Sequence, residues 1–326
     1  MIPSDWLDQA ARRLKGQIQQ TPLTFDSDLN AYIKWENRQL TGSFKIRGAL
    51  NKVLTLQDWE LRRGLVTASA GNHGQGVAEA GRRVGAPVTV FASSHAVPAK
   101  LDAMRSMGAV VRLVEGGYED AERAAQSYAI QHDRTWISPY NDGQVIAGQA
   151  TIALEILDQL NSLNGGAAPS AFIVPVGGGG LISGIGAVIN SPAFDQVNPR
   201  PRLIGVQSEA SPFFHALYHH GSQAGVVEQE SLADGLAGAV EENSITIPLV
   251  RRFVDDFILV SEKQIASAVV YAWRRHGEKI EGSAAAALAA LMFSDTVAPR
   301  SFEHPAVAVM SGGNIQPEVL EKLLQD

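Results

Sequence analysis

The chain has 326 residues, of which 45% are hydrophobic and 19% charged, and its formal net charge is -7. That length is too great for one comfortable core and fits two lobes of a soluble globular protein. The negative balance argues against a nucleic-acid binder or a protein held on anionic membranes, and the absence of cysteine excludes disulfides, thiolate catalysis and cysteine metal sites.

The first stretch, Met1 to Lys15, mixes Asp and Arg with apolar residues at helical spacing. It lacks the apolar core of a signal peptide, and no later run is long enough to span a bilayer, so a cytoplasmic protein is expected. Next comes Thr41-Gly42-Ser43-Phe44-Lys45-Ile46-Arg47-Gly48-Ala49. Lys45 stands there among small, apolar and hydroxyl residues. Desolvation in such company lowers an amine's pKa and frees its lone pair to form a Schiff base with a carbonyl. A surface lysine near a turn would use the same residues.

From about residue 64, apolar β-rich runs alternate with helical patterns. Strands are expected at Gly64 to Ala68, Pro87 to Phe91 and Ala109 to Val114, and helices at Asn72 to Val84, Val97 to Met107 and Tyr118 to His132. A long amphipathic helix follows from Gln144 to Leu160, closed by Asn164 to Pro169. The alternation resumes with strand Ala171 to Val176, helix Leu181 to Ile189, strand Arg202 to Gln207 and a helix from about Ser211. Strand Asp256 to Val260, helices Glu262 to His276 and Ser283 to Phe293, strand Ala306 to Met310 and helix Gln316 to Leu324 complete the chain. This cadence predicts an α/β fold of mostly parallel strands covered by helices on both faces. It divides into a large domain of residues 1–58 and 143–326 and a small domain of residues 59–142.

Three loops at strand ends carry chemistry. Gly177, Gly178, Gly179 and Gly180 follow a buried-looking strand and open a helix, where close backbone approach and unpaired N–H groups suit an anion. Ile182 and Ser183 occupy the places where a dinucleotide fingerprint needs a third glycine, and the Gly-Lys-Ser/Thr ending of an NTPase loop is missing, so a phosphate monoester is favoured. In Ser69-Ala70-Gly71-Asn72-His73-Gly74-Gln75-Gly76, Ser69 and Asn72 either cap the helix or serve a ligand. As ligands, Ser69 and the backbone amides would take a carboxylate and the Asn72 amide a phenolate-like oxygen. No carboxylate partner is evident for His73. Ser311-Gly312-Gly313-Asn314 is an ordinary turn or a place where a ring edge approaches backbone. Parallel α/β sheets bind ligands at the carboxyl ends of their strands, where all three loops belong.

An imine-forming lysine, a phosphate cup, a donor for a phenolic oxygen and a hydroxyl for a ring nitrogen together describe pyridoxal phosphate. At these residues the chain resembles the threonine dehydratase and serine racemase branch of the fold-type II, tryptophan synthase β-like, pyridoxal-phosphate enzymes. The resemblance also takes in Thr21-Pro22-Leu23, Glu36-Asn37, Ile146 to Thr151, Leu232 to Ala237 and Glu281. It implies that Lys45 carries the cofactor and acts as catalytic base, that Phe44 flanks the ring, and that Asn72 holds the phenolic oxygen. Gly177 to Gly180 would take the phosphate and Ser311 the ring nitrogen, with Glu281 near the cofactor. Ser69, Ala70, Gly71 and His73 would line the substrate carboxylate subsite, and Asn141 and Gly235 would face substrate.

Ser311 supplies no charge to a pyridinium, so the ring is a weaker electron sink. That disfavours transamination and tolerates β-elimination, in which electron density leaves with the β-hydroxyl. The expected reaction is L-threonine to 2-oxobutanoate and ammonia, or L-serine to pyruvate. Ala70 stands where the resembling racemases carry a proton-transferring serine, which favours a dehydratase. Serine racemase, or a dehydratase of hydroxyaspartate or phenylserine, is the alternative, a sulfide-using β-replacement enzyme a further relative, and a non-catalytic ligand binder the reading from another class. Gln207, Ser211 and Phe213 make a poor Mg2+ or Ca2+ site, although Glu209 could substitute, and His215 with His219 lacks a third ligand, so no metal is expected. The small-molecule partner is an amino acid, and a homodimer or homotetramer is implied. With the chain ending at Asp326, no C-terminal regulatory domain and no inhibition by isoleucine are expected.

Overall fold

The computed structural model describes residues 2–194, 200–294 and 305–325. Among these residues ten strands make two sheets. The strands are β1 Leu23–Asp26, β2 Ala31–Trp35, β3 Leu65–Ala68, β4 Val88–Ser93, β5 Val110–Val114, β6 Thr135–Trp136, β7 Ala171–Pro175, β8 Arg202–Ser208, β9 Asp256–Val260 and β10 Ala306–Met310. One sheet runs β1-β2-β10-β7-β8-β9 and the other β5-β4-β3-β6. Every pairing is parallel except β1 with β2.

The helices are α1 Ser4–Leu14, α2 Lys45–Val53, α3 Asp58–Arg63, α4 Asn72–Val84, α5 Pro98–Ser106, α6 Tyr118–Gln131, α7 Gly143–Asn164, α8 Gly180–Ile189, α9 Phe213–His220, α10 Thr246–Phe253, α11 Glu262–His276, α12 Gly282–Phe293 and α13 Pro317–Gln325. Strand β7 reads Ala-Phe-Ile-Val-Pro and is buried throughout, the continuous apolar run that a central parallel strand requires. Its sheet has an apolar layer on each face. One contains Ile146, Ile156, Ile185 and Phe253, and the other contains Ile265, Leu288 and Leu320. The second sheet is likewise covered by α2, α4 and α5 on one side and by Ala121, Ala125 and Ala129 of α6 on the other.

Helix α7 ends at Asn164 on Gly165, whose φ of 71° is the left-handed cap that glycine adopts without strain. Two expectations need correcting. Neither Ser69 nor Asn72 caps α4: the N-cap is Gly71, and Asn72 is the first helical residue. The helix expected from Ser211 starts at Phe213. Strands β1, β2 and β6 and helices α2, α3 and α10 were not anticipated from sequence.

Two devices hold α2. The first is a buried ion network. Arg47 donates two 2.7 Å hydrogen bonds to Glu36 and one of 3.0 Å to Glu155, and Lys34 of β2 reaches Glu155 at 2.5 Å. The second is contact of main chain with main chain. A Cβ on Gly148 of α7 would stand 2.5 Å from the Arg47 carbonyl oxygen and 2.7 Å from Gly48 Cα. One on Gly76 of α4 would stand 3.1 Å from the Lys45 carbonyl carbon. Separations under 3.0 Å are closed to a real Cβ, so the backbones of α7 and α2 come this close only because a glycine stands at 148.

Candidate active site

The turn before α2 is stitched to the end of β10. Phe44 N donates to the Ser311 carbonyl at 3.0 Å, Gly313 N donates to the Gly42 carbonyl at 2.9 Å, and Ser43 and Gly312 form an antiparallel bridge. Gly42 has φ 71°, which a side chain resists, and a Cβ there would collide with the Asn314 side chain. Lys45 and Ser311 are thereby brought to one cavity.

That cavity, of about 430 Å³, lies at the carboxyl ends of β3, β7 and β10, between the two sheets. Fourteen of the fifteen residues expected at the site line it: Phe44, Lys45, Ser69, Ala70, Gly71, Asn72, His73, Gly177, Gly178, Gly179, Gly180, Gly235, Glu281 and Ser311. Asn141 is not among its lining. The Asn141 amide donates to Glu241 at 2.6 Å and its oxygen accepts from Ile245 N at 3.0 Å. Lys100, Tyr118, Tyr140, Glu228 and Ser283 also line the cavity and were not read from sequence, and Asp234, from the Leu232 to Ala237 motif, lines it without having been given a role.

Lys45 Nζ has one hydrogen bond, donated to the Pro139 carbonyl at 3.1 Å. Burial lowers its pKa to about 8, with Glu281 opposing that shift. A minority of the amine is then neutral near physiological pH, far more than for a free lysine, and that neutral form is what a nucleophile or base must be. Burial also pushes Glu281 up to about 7, reinforced by Asp234 and opposed by Lys100. Asn72 Nδ2 donates to Glu281 at 2.7 Å, and Asn314 Nδ2 donates to Asn72 Oδ1 at 2.7 Å. This chain links the start of α4 to the β10 loop. His73 is held neutral, its pKa pressed to about 3 by burial and by Lys45. Its Nε2 lies 3.1 Å from the Ile137 carbonyl.

The glycine run forms a cradle that side chains would fill. A Cβ on Gly178 would stand 2.2 Å from the Tyr140 ring, and one on Gly179, at φ 84°, would stand 2.7 Å from Phe214. Thr246 Oγ1 fixes the run by donating to the Gly178 carbonyl at 2.8 Å. Gly179 and Gly180 begin α8, whose first N–H groups lack intrahelical acceptors, an arrangement that suits an anion. A buried amine of depressed pKa, an anion cradle, an amide and a hydroxyl in one cavity fit a phosphorylated aldehyde of aromatic type. Among the described residues no group of three His, Cys, Asp or Glu side chains could hold a metal, and no helix is long and apolar enough to cross a membrane.

Comparison with known proteins agrees with that fit. L-threonine ammonia-lyase of Thermotoga maritima is 36% identical over 330 residues, which is 99% of this chain and 78% of the relative. Among solved structures, the processed form of threonine deaminase isoform 2 from Solanum lycopersicum has a TM-score of 0.85 at 30% identity, covering 99% of this chain and 94% of that one. Maize serine racemase has a TM-score of 0.87 at 27% identity, covering 98% and 96%. Residues 14–312 match the family described as pyridoxal-phosphate dependent enzymes. The chain belongs to that family, in its fold-type II branch, and its cofactor is pyridoxal phosphate.

Proposed function

We propose that this protein is a threonine/serine ammonia-lyase, converting L-threonine to 2-oxobutanoate and ammonia and L-serine to pyruvate. The observation that carries this reading is the meeting of Lys45, its pKa near 8, with Ala70 in a single cavity. A base is present to remove an α-proton, and Ala70 has no proton to return from the asparagine loop.

Lys45 would bind the cofactor aldehyde, and Gly177 to Gly180 with the start of α8 would hold its phosphate. Phe44 would flank the ring. Asn72 would donate to the phenolic oxygen, since its amide nitrogen has two hydrogens and Glu281 takes one. Bound pyridoxal phosphate supplies an electron sink for the α-carbon of the amino acid. Displaced from the aldehyde by the substrate's own amine, the freed Lys45 amine would take the α-proton, while Ser69, Gly71 and His73 would keep the substrate carboxylate in place. His73 stays uncharged and serves position rather than proton transfer. Ser311 lends the ring nitrogen a hydroxyl and no charge, which suits departure of a β-hydroxyl. Gly235 would face the substrate.

A substrate panel scored for 2-oxo acids tests the reading, and an enzyme that makes neither 2-oxobutanoate nor pyruvate would sink it. The likeness to maize serine racemase makes racemisation the second reading. Chiral chromatography decides: D-serine appearing faster than pyruvate would favour the racemase. We further infer a cytoplasmic homodimer or homotetramer, testable by cell fractionation and light scattering. Residues 59–142 would move as a small domain against the rest, testable by hydrogen exchange with and without substrate.

A further inference from the structure

Among the described residues that line the cavity, one ion pair joins its two walls. Lys100, in the first turn of α5 over the four-stranded sheet, donates to Asp234 Oδ2 at 2.8 Å. Asp234 opens the short turn Asp234–Leu236 on the opposite wall. Both residues line the cavity, yet their environments differ: the Lys100 side chain is 17% exposed and that of Asp234 is 60% exposed. The pair thus runs from the interior of the cleft out to solvent.

Each end is coupled to a loop of the site. The Lys100 stem lies along the asparagine loop, its Cδ 3.9 Å from where a Gly71 Cβ would stand. Asp234 precedes Gly235, whose N–H donates to Ser283 Oγ at 2.9 Å and whose carbonyl lies over Gly177 of the glycine run.

We propose that Lys100 and Asp234 are a positioning pair: their ion pair draws the asparagine loop toward the Gly235 loop and closes the mouth of the active site. The consequence for turnover rests on the lyase reading above, whereas closure itself does not. A half-exposed pair is screened by salt, so the mouth opens as ionic strength rises.

The test is the rate at which hydroxylamine bleaches the visible absorbance of the pyridoxal-phosphate holoenzyme. Lys100→Met and Asp234→Asn are each expected to bleach roughly two- to fivefold faster than wild type at about 0.05 M salt. Wild type should accelerate toward the variant rate at about 1 M salt, while the variants respond little. The double variant Lys100→Asp/Asp234→Lys should recover slow bleaching, which a general loss of packing would not allow. Equal rates and equal salt responses in wild type and both single variants would overturn the proposal. Turnover of L-threonine by wild type is measured separately, so a holoenzyme that yields no 2-oxo acid would reject the lyase reading and leave the bleaching result intact.

Discussion

Two lysines are buried at the two ends of one connection, and they are opposites. Lys34, the penultimate residue of β2, donates to Glu155 at 2.5 Å, to the Thr21 carbonyl at 2.8 Å and to Gln159 at 2.9 Å. Burial lowers its pKa, and Glu155 and Glu36 work against that shift. Lys45 has one neutral acceptor, and its pKa falls to about 8. A buried ammonium with three acceptors, one of them a carboxylate, ties elements together. One with a single carbonyl keeps its lone pair within reach of neutral pH. Burial does not decide between structure and chemistry here; the number and charge of the acceptors do.

Substitutions that separate those two roles test the contrast. The largest effect is expected from Lys45→Ala, which should lower kcat/KM for the best substrate by about 10³-fold or more in a steady-state assay for 2-oxo acid. A variant keeping a tenth of wild-type activity would end the claim that this amine does the chemistry. Lys34→Met should show the reverse pattern. It leaves Glu155 with Arg47 as its one remaining cationic partner, beside the Thr21 N–H, and is expected to cost about 3–5 kcal/mol in urea unfolding, with kcat of the folded fraction near wild type.

A third experiment puts the difference on one scale. The folded-state pKa of Lys45 is depressed below 10.5, so its contribution to stability is full above pH 10.5 and is lost as pH falls through about 8. At pH 7 the cofactor-stripped protein therefore contains a buried charge at a cost of up to about 3 kcal/mol. Lys45→Met should stabilise that form at pH 7, and the gain should vanish by about pH 10.5. Thermal melts across that range check it, and destabilisation at pH 7 would contradict the assigned environment. The smallest effect is expected from Glu281→Gln. Glu281 is the charge that opposes the Lys45 shift, so its loss should move the Lys45 pKa further down, by under about one unit. The pH dependence of pyridoxal phosphate uptake by the cofactor-free protein reads this, and an upward move would reverse the sign of the coupling.

The alternating strands and helices from residue 64 onward were legible because period and punctuation agree there, and β9 and α11 fall at the expected residues. Strand β2 was not, because Lys34 interrupts an apolar run whose burial depends on Glu155, far along the chain. Helix α2 was hidden by Gly48, a poor helix former whose place is set by contact with α7. At the site, the loops on strand ends could be found because residue type and topology point the same way. Lys100 and Asp234 could not, since each is an ordinary charge until the two walls face each other. The Asn141 side chain was expected to face substrate and instead joins Glu241 and Ile245 N, a choice made by the loop at residues 241–245.

The glycine contacts around α2 bear on how this enzyme tolerates redesign. Where α7 passes α2, and where Gly76 passes Lys45, no side-chain torsion intervenes, so rotamer exchange in the neighbouring oily layers does not blur where the amine stands. Repacking those layers should leave catalysis in register. A single methyl on Gly148 would instead act as a wedge, tilting the helix and misaiming a reactive group that it never touches.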